Sequence, residues 1–209
     1  MHLARALENL NRCLKEQDDS VFLMSWSTAV KDLRPIATGF DSKIIDYIQS
    51  SKLRKWLSPK YSKPRLLYRG TKDGFQVSNF HRLCDNKGPT LSIILTTKGN
   101  IFGGFTSVAW ESVGGYVEDP DAWIFTLKCS TNVGPAKLLG NGDGDQIYDH
   151  ASYGPTFGAG HDIYVSDLAN SNTNSYTSIG NSYICPNPSL EYLDGSQQYQ
   201  ARELEVFGF

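Results

Sequence analysis

His81 and Cys84 stand three residues apart in the stretch LLYRGTKDGFQVSNFHRLCDNKGPT, which runs from Leu66 to Thr90. Residues three apart on a helix are surface neighbours, and an imidazole beside a thiol lowers the thiol pKa and favours a nucleophilic thiolate. Two other places offer acid–base groups: His161 followed by Asp162 after the glycine-rich FGAGH, and Glu203 with Glu205 near the end of the chain. A hydrolase or a peroxide-consuming enzyme would draw its catalytic groups from Cys84, His81, His161, Glu203 and Glu205. A third chemistry is suggested by GNGDGDQIYDH, where Asp143, Asp145 and Asp149 form a candidate cluster for a hard cation, as in a calcium-responsive binding module.

Each of these segments also reads as construction. Around Cys84, Ser78 suits a helix N-cap, Phe80 and Leu83 supply an inward face, and Asn86-Lys87-Gly88-Pro89 is a stop signal. A nucleophilic cysteine further requires an oxyanion pocket and a group that orients its base, and no turn marks the first. FGAGH lacks the spacing of a phosphate loop and leads into the strand-like DIYV rather than a helix, so a close backbone bend explains it. Framed as an EF-hand from Asn141, the acidic segment places Gln146 where glycine is needed and Ser152 where the bidentate glutamate belongs. Asp-Gly turns account for the same residues. No cofactor motif is present.

The positioning elements fall into two parts. Near the start, apolar stripes at Leu3, Ala6, Leu7, Leu10 and Leu14, and at Phe22, Trp26, Ala29, Val30 and Leu33, have helical spacing, and a third helix is expected from Asp41 with Ile44, Ile45 and Ile48. These predict an N-terminal helical segment, residues 1–65, packed on the main domain. From Leu66 the period changes to two. TLSIILTT places Leu91, Ile93 and Leu95 on one face, KGN is a turn, IFGGFT resumes the strand, DAWIFTLK alternates again, and ELEVFGF closes the chain as a strand. Between Thr131 and Asn187 a polar, Gly/Asn/Ser-rich region is expected to be mostly loop, with short strands in HDIYVSDL and SYTSIG. The fold class that follows is α+β, with two antiparallel β-sheets packed as a sandwich and flanked by helices.

Totals narrow the function. The 209 residues bury a core without staples, and the four cysteines lie far apart with no zinc or disulfide pattern, as expected of reduced thiols in the cytoplasm. No run approaches the ~18 apolar residues of a membrane span. The net charge of −2 gives no global footprint for nucleic acid. Yet no acid occurs between Asp46 and Asp73, while eight bases do: Lys52, Arg54, Lys55, Lys60, Lys63, Arg65, Arg69 and Lys72. This window is either a solvated connector or a docking surface for an acidic partner, with Lys52, Arg54, Lys55, Arg65 and Arg69 as its contacts.

LLYRGTKDGF, FHRLCDNKGPTL, GNIFGGFTSVAW, DAWIFTL, YGPTFGAGHDIYV and ELEVFGF, in that order, resemble the TLDc family of oxidation-resistance proteins and nuclear-receptor-coactivator relatives. The resemblance spans residues 66–209, about two-thirds of the chain, and is weakest over 170–199. It implies a β-sandwich with edge helices, no established active site, and a protein-interaction module linked to oxidative-stress resistance or to regulation of the vacuolar proton-pumping ATPase. The implied partners are peripheral-sector subunits of that pump. It also implies that Gly70, Asp73, Gly74, Phe80, His81, Asp85, Gly88, Gly103, Gly104, Trp110, Gly158, Gly160, His161, Glu203 and Glu205 are mostly turn and core residues, which makes Cys84 and His81 parts of a scaffold.

Overall fold

The computed structural model describes residues 39–131, 133–187 and 193–209. The chain divides into two compact units, residues 1–62 and 63–209. The two expected N-terminal stripes lie outside the described residues.

In the first unit, the helix expected from Asp41 begins later, because the Ser42 hydroxyl accepts from the amides of Ile44 and Ile45 at 3.0 and 3.1 Å and holds a local turn. Helix α1 is Tyr47–Trp56. Asp46 and Gln49 make a reciprocal capping box: Asp46 Oδ1 accepts from the Gln49 amide at 2.9 Å, and Gln49 Oε1 accepts from the Asp46 amide at 3.0 Å. Arg54 and Lys55 sit in the last turn, where the helix dipole favours cations.

The second unit is mainly strand. Its elements in order are β1 (Arg65–Arg69), α2 (Gly70–Asp73), α3 (Val77–Cys84), β2 (Thr90–Thr96), β3 (Ile101–Thr106), β4 (Gly115–Val117), β5 (Trp123–Lys128), β6 (Ala136–Leu139), β7 (Ile147–Asp149), β8 (Ile163–Tyr164), β9 (Ser175–Thr177), β10 (Gln198–Tyr199) and β11 (Ala201–Gly208). A six-stranded antiparallel sheet has the order β1-β11-β2-β3-β5-β6, so the last strand lies between the first two. Tyr68 pairs with Val206 and Arg69 with Glu205 in this register. The smaller sheets, β10-β9-β8 and β4-β7, are bridged by Phe157, which pairs with both Ile147 and Ile163. Within the region expected to be mostly loop, β8 and β9 lie in the expected strand segments HDIYVSDL and SYTSIG, and β6 and β7 are added to them.

One apolar cluster joins Ile94, Phe102 and Val206 of the six-stranded sheet to Ile147, Phe157 and Ile163 of the smaller ones. Gly104 shows how closely they meet, since a β-carbon there would lie 2.6 Å from the Phe157 ring. Trp110 packs edge-on against Phe80 and Phe157, with centroids at 5.6 and 5.8 Å, and its indole N–H donates to Thr90 Oγ1 at 2.9 Å.

Helix α3 differs from expectation at both ends. Gln76, not Ser78, is the N-cap, and its side chain makes no cap; the distant Asp167 instead accepts from the Val77 amide at 2.8 Å. At the other end the left-handed residue is Asn86, φ 60°, and Gly88 is required for a close approach, its β-carbon position lying 2.6 Å from Ala109 Cα. No helix among the described residues is long and apolar enough to cross a membrane.

Candidate functional site

The thiol and the imidazole of α3 do not meet as a catalytic pair. Cys84 is fully buried, and that burial, reinforced by the negative charges of Asp85 and Asp73, pushes its thiol well above the ordinary range. His81 turns elsewhere. Its Nε2 lies 2.9 Å from the Tyr153 carbonyl oxygen and 3.2 Å from that of His150, both acceptors, so Nε2 donates here. Its Nδ1 meets Asp85 Oδ1 at 2.9 Å and Ser112 Oγ at 3.0 Å, and the Ser112 hydroxyl also donates to Asp85 Oδ2 at 3.0 Å. A hydrolytic triad needs its hydroxyl and its carboxylate on opposite ring nitrogens, and here both crowd one. The imidazole is a cross-brace from α3 to two loops.

Glu203 and Glu205 are equally committed. Arg69 Nε donates to Glu205 Oε1 at 2.7 Å, with Arg69 7% and Glu205 0% exposed. Glu203 accepts from the Thr71 amide at 2.9 Å and from the Thr71 hydroxyl, and Asp73 Oδ2 accepts from the Arg69 amide at 2.9 Å. The one-turn helix α2 is thereby clamped onto β11. Arg69, expected as a docking charge, is corrected to an interior one. Desolvation leaves a buried arginine stable only when it is paired.

His161 and Asp162 also separate. Asp162 points inward beneath the 180–182 loop, where Oδ1 accepts from the amides of Gly180 and Asn181 at 2.7 and 3.1 Å and Oδ2 from that of Ser182 at 2.9 Å. Burial raises this carboxyl to about 6, against the opposing pull of those amides. Gly158 makes the approach possible: its φ is +87°, and a β-carbon there would lie 2.0 Å from Asp162 Oδ2. His161 points outward among tyrosine rings with its Nδ1 sealed from solvent and unpartnered, and burial holds the imidazole below its ordinary value.

The acidic segment does not assemble a cation site. Asp143 Oδ1 accepts from the Asp145 amide and from Gln146 Nε2, both at 3.0 Å, as an Asx turn does, whereas Asp149 accepts from the amides of Glu111 and Val113 at 2.8 and 3.3 Å on the other side of β7. Among the described residues no group of three or more such side chains could hold a metal ion. Of the remaining docking charges, Lys52, Arg54 and Lys55 are exposed on α1, with Lys52 Nζ 5.6 Å from the Trp56 ring centroid and Arg54 reaching the Ser62 carbonyl at 3.3 Å; Arg65 is exposed on β1.

A contiguous face of seven rings is the arrangement that the sequence reading missed. Tyr116 and Tyr148 pair across β4 and β7 with centroids 4.8 Å apart, and Tyr164 and Tyr176 pair across β8 and β9 at 5.1 Å. Tyr153 links the pairs, 5.4 Å from Tyr148 and 4.9 Å from Tyr164, while His161 lies 4.8 Å from Tyr148 and His150 lies 5.0 Å from Tyr153. Inward neighbours such as Ile147 and Ile163 join the core, so alternation along short strands turns the tyrosines outward. Tyr116 is 46% exposed and the other rings are half-buried. The available signal was a compositional one: between Lys137 and Arg202 there is no lysine or arginine, while tyrosines recur at outward strand positions.

Comparison with known proteins gives this architecture relatives. A 77-residue stretch is 32% identical to TBC1 domain family member 24 of Xenopus tropicalis, covering 36% of this chain and 14% of that protein. Another of 85 residues is 32% identical to the mTOR-associated protein MEAK7 of Danio rerio, covering 38% of this chain and 19% of the relative. The chain thus aligns with less than a fifth of either relative. The model of the TLDc domain matches residues 39–209, which takes in α1 and all of the strands above, and the chain belongs to the TLDc domain family.

Proposed function

We propose that this chain is a non-enzymatic protein-interaction module of the TLDc type, acting from the cytoplasm in oxidative-stress resistance or in regulation of the vacuolar proton-pumping ATPase, or in both, with peripheral-sector subunits of that pump as partners. The proposal takes residues 66–209 as the interaction domain, built as a sandwich, and residues 1–65 as a preceding helical segment. One contrast carries the reading: Cys84, His81, Glu203 and Glu205 are all engaged in holding the fold, while a seven-ring face reaches solvent through half-buried rings and the exposed Tyr116. Family membership supports it, as does a relative whose name records association with another protein. The exposed bases Lys52, Arg54 and Lys55 would steer an acidic surface of the pump toward α1.

Surface plasmon resonance of the full chain on isolated peripheral-sector subunits tests this. Binding is expected, with an on-rate that falls when Lys52→Glu, Arg54→Glu and Lys55→Glu are combined and when salt shortens the Debye length from ~10 Å at 0.1 M to ~3 Å at 1 M. Equal on-rates at low salt would remove this patch as the steering surface. Absence of binding by either protein would remove the pump as partner.

A further inference from the structure

We propose that the tyrosine–histidine face formed around Tyr116, Tyr148, Tyr153, His161, Tyr164 and Tyr176 is a docking site for arginine side chains carried by an extended segment of a partner protein. This rests on the interaction-module reading and gives it a location and a chemistry. Aromatic faces carry the negative lobe of the ring quadrupole, so rings gathered at centroid distances of 4.8–5.7 Å, edge-on, tilted or stacked, offer a ligand the parts of their faces that neighbouring rings leave uncovered, most of all at Tyr116. Guanidinium groups are the side chains that best combine stacking on such faces with retained charge.

Charge complementarity selects the occupant. The chain from 138 to 201, which supplies all of these rings except Tyr116, holds no cation of its own to lay over them. The cation–π contacts of the described residues lie elsewhere, at Lys52 over Trp56, Lys60 over Tyr61 and Lys137 over Trp123. Asp167, exposed and three residues along the chain from Tyr164, uses Oδ1 on the Val77 amide. Asp167 also borders an open cleft lined by Gln76, Val77, Ser78, Ala151 and Ser152, which continues from the loop that carries His150 and Tyr153. A ligand crossing the rings past Tyr164 meets this anion and this groove. On and beside β4, Val113 is 58% and Tyr116 46% exposed, with the exposed carboxylates Glu111 and Glu118 near them in sequence. An extended segment with arginines at alternate positions fits this sequence of surfaces, whereas an acidic segment would face ring quadrupoles and a carboxylate.

The test is ¹H–¹⁵N NMR titration of the full chain with the probe acetyl-Gly-Arg-Gly-Arg-Gly-amide, set beside the same peptide with norleucine for arginine and beside the neutral disaccharide cellobiose. The expected result is saturable shifts confined to amides of β4, β7, β8, β9 and the 150–153 loop, produced by the arginine peptide alone. Tyr153→Leu with Tyr164→Leu should weaken it at least fivefold, Tyr153→Phe with Tyr164→Phe should retain it because phenyl keeps the π face, and Asp167→Asn should weaken it about twofold. Thermal melts of each variant check the fold; the Phe pair preserves the test should the Leu pair unfold. Equal shifts from the norleucine peptide, shifts from cellobiose, shifts that track protein concentration without ligand, or no shift with the arginine peptide would each overturn the proposal. If the peptide fails while the full chain still binds the pump subunits, the docking site is wrong and the module reading stands; loss of both overturns both.

Discussion

The clamp around Arg69 and the ring face around Tyr153 are built from equally reactive-looking side chains, and they put them to opposite use. In the clamp, Arg69 meets Glu205 and Thr71 meets Glu203 across more than a hundred residues of sequence, with Arg69, Glu203 and Glu205 buried and Thr71 at the surface. On the ring face, the aromatic groups pack on one another in stacked, tilted and edge-on pairs and keep part of their surface toward solvent. Desolvation explains the difference. A buried charge is tolerated only with its partner in place, so nothing is left over for a ligand, whereas a tyrosine ring can stand half-buried with its faces free. In this fold His81, Glu203 and Glu205, catalytic-looking by identity, are occupied in holding the fold, whereas His161 stands with the tyrosines of the open face.

The sharpest way to break that comparison is at the clamp. Glu205→Gln neutralises the buried carboxylate that accepts from Arg69 Nε, and a loss of about 3–5 kcal/mol in urea unfolding is expected; a loss below about 1 kcal/mol would mean that the pair does not hold β1 to β11. Next comes the contact between the layers. Gly104→Ala drives a β-carbon into the Phe157 ring and should cost about 1–3 kcal/mol by overpacking, part of which Phe157→Leu should restore. A Gly104→Ala protein as stable as the parent would show that the layers can separate freely there.

On the open face the same measurement should barely respond. Tyr116→Ala should change stability by no more than about 1 kcal/mol, because a residue 46% exposed gives up little buried surface. A larger loss would make the ring face structural like the clamp. Cys84 sharpens the buried side: burial raises its pKa, so the thiolate forms only above the ordinary value of about 8.5, and iodoacetamide should label it slowly from pH 6 to 8 and rapidly once urea opens the fold. Fast native labelling at pH 6 would revive the thiol-enzyme reading. The smallest effect concerns His161. With its folded pKa below the unfolded value of about 6.5, the unfolded chain takes up the proton more readily, so this residue's contribution to stability is lost as pH falls through about 6.5. An NMR titration of the His161 ring should give a midpoint below that value; one above it would reverse the sign.

Particular segments mark how far the sequence could be read. Alternation in TLSIILTT and DAWIFTLK gave β2 and β5, and the glycine turn between β2 and β3 was legible because each depends on residues within a few positions. Helix α1 was legible as a helix but not in its start, since Ser42 and Asp46 are both plausible caps and only the hydrogen bonds actually formed decide between them. The site was less legible still. His81, Cys84, Glu203 and Glu205 could be named as reactive types, but whether each faced a partner or a substrate could not. The capping of α3 by Asp167, about ninety residues away, left no local trace.

By itself the amino-acid sequence determined the family, the change from helical to two-residue period, the turns, and the absence of cations between Lys137 and Arg202. Tertiary structure alone decided that β11 enters between β1 and β2, that Arg69 is spent on Glu205, and that tyrosines from β4, β7, β8 and β9 converge on one face. The division has a physical cause. Backbone sterics and side-chain period act over a few residues and are written locally, whereas cross-strand neighbours depend on register, and register is set by the burial of the whole core at once.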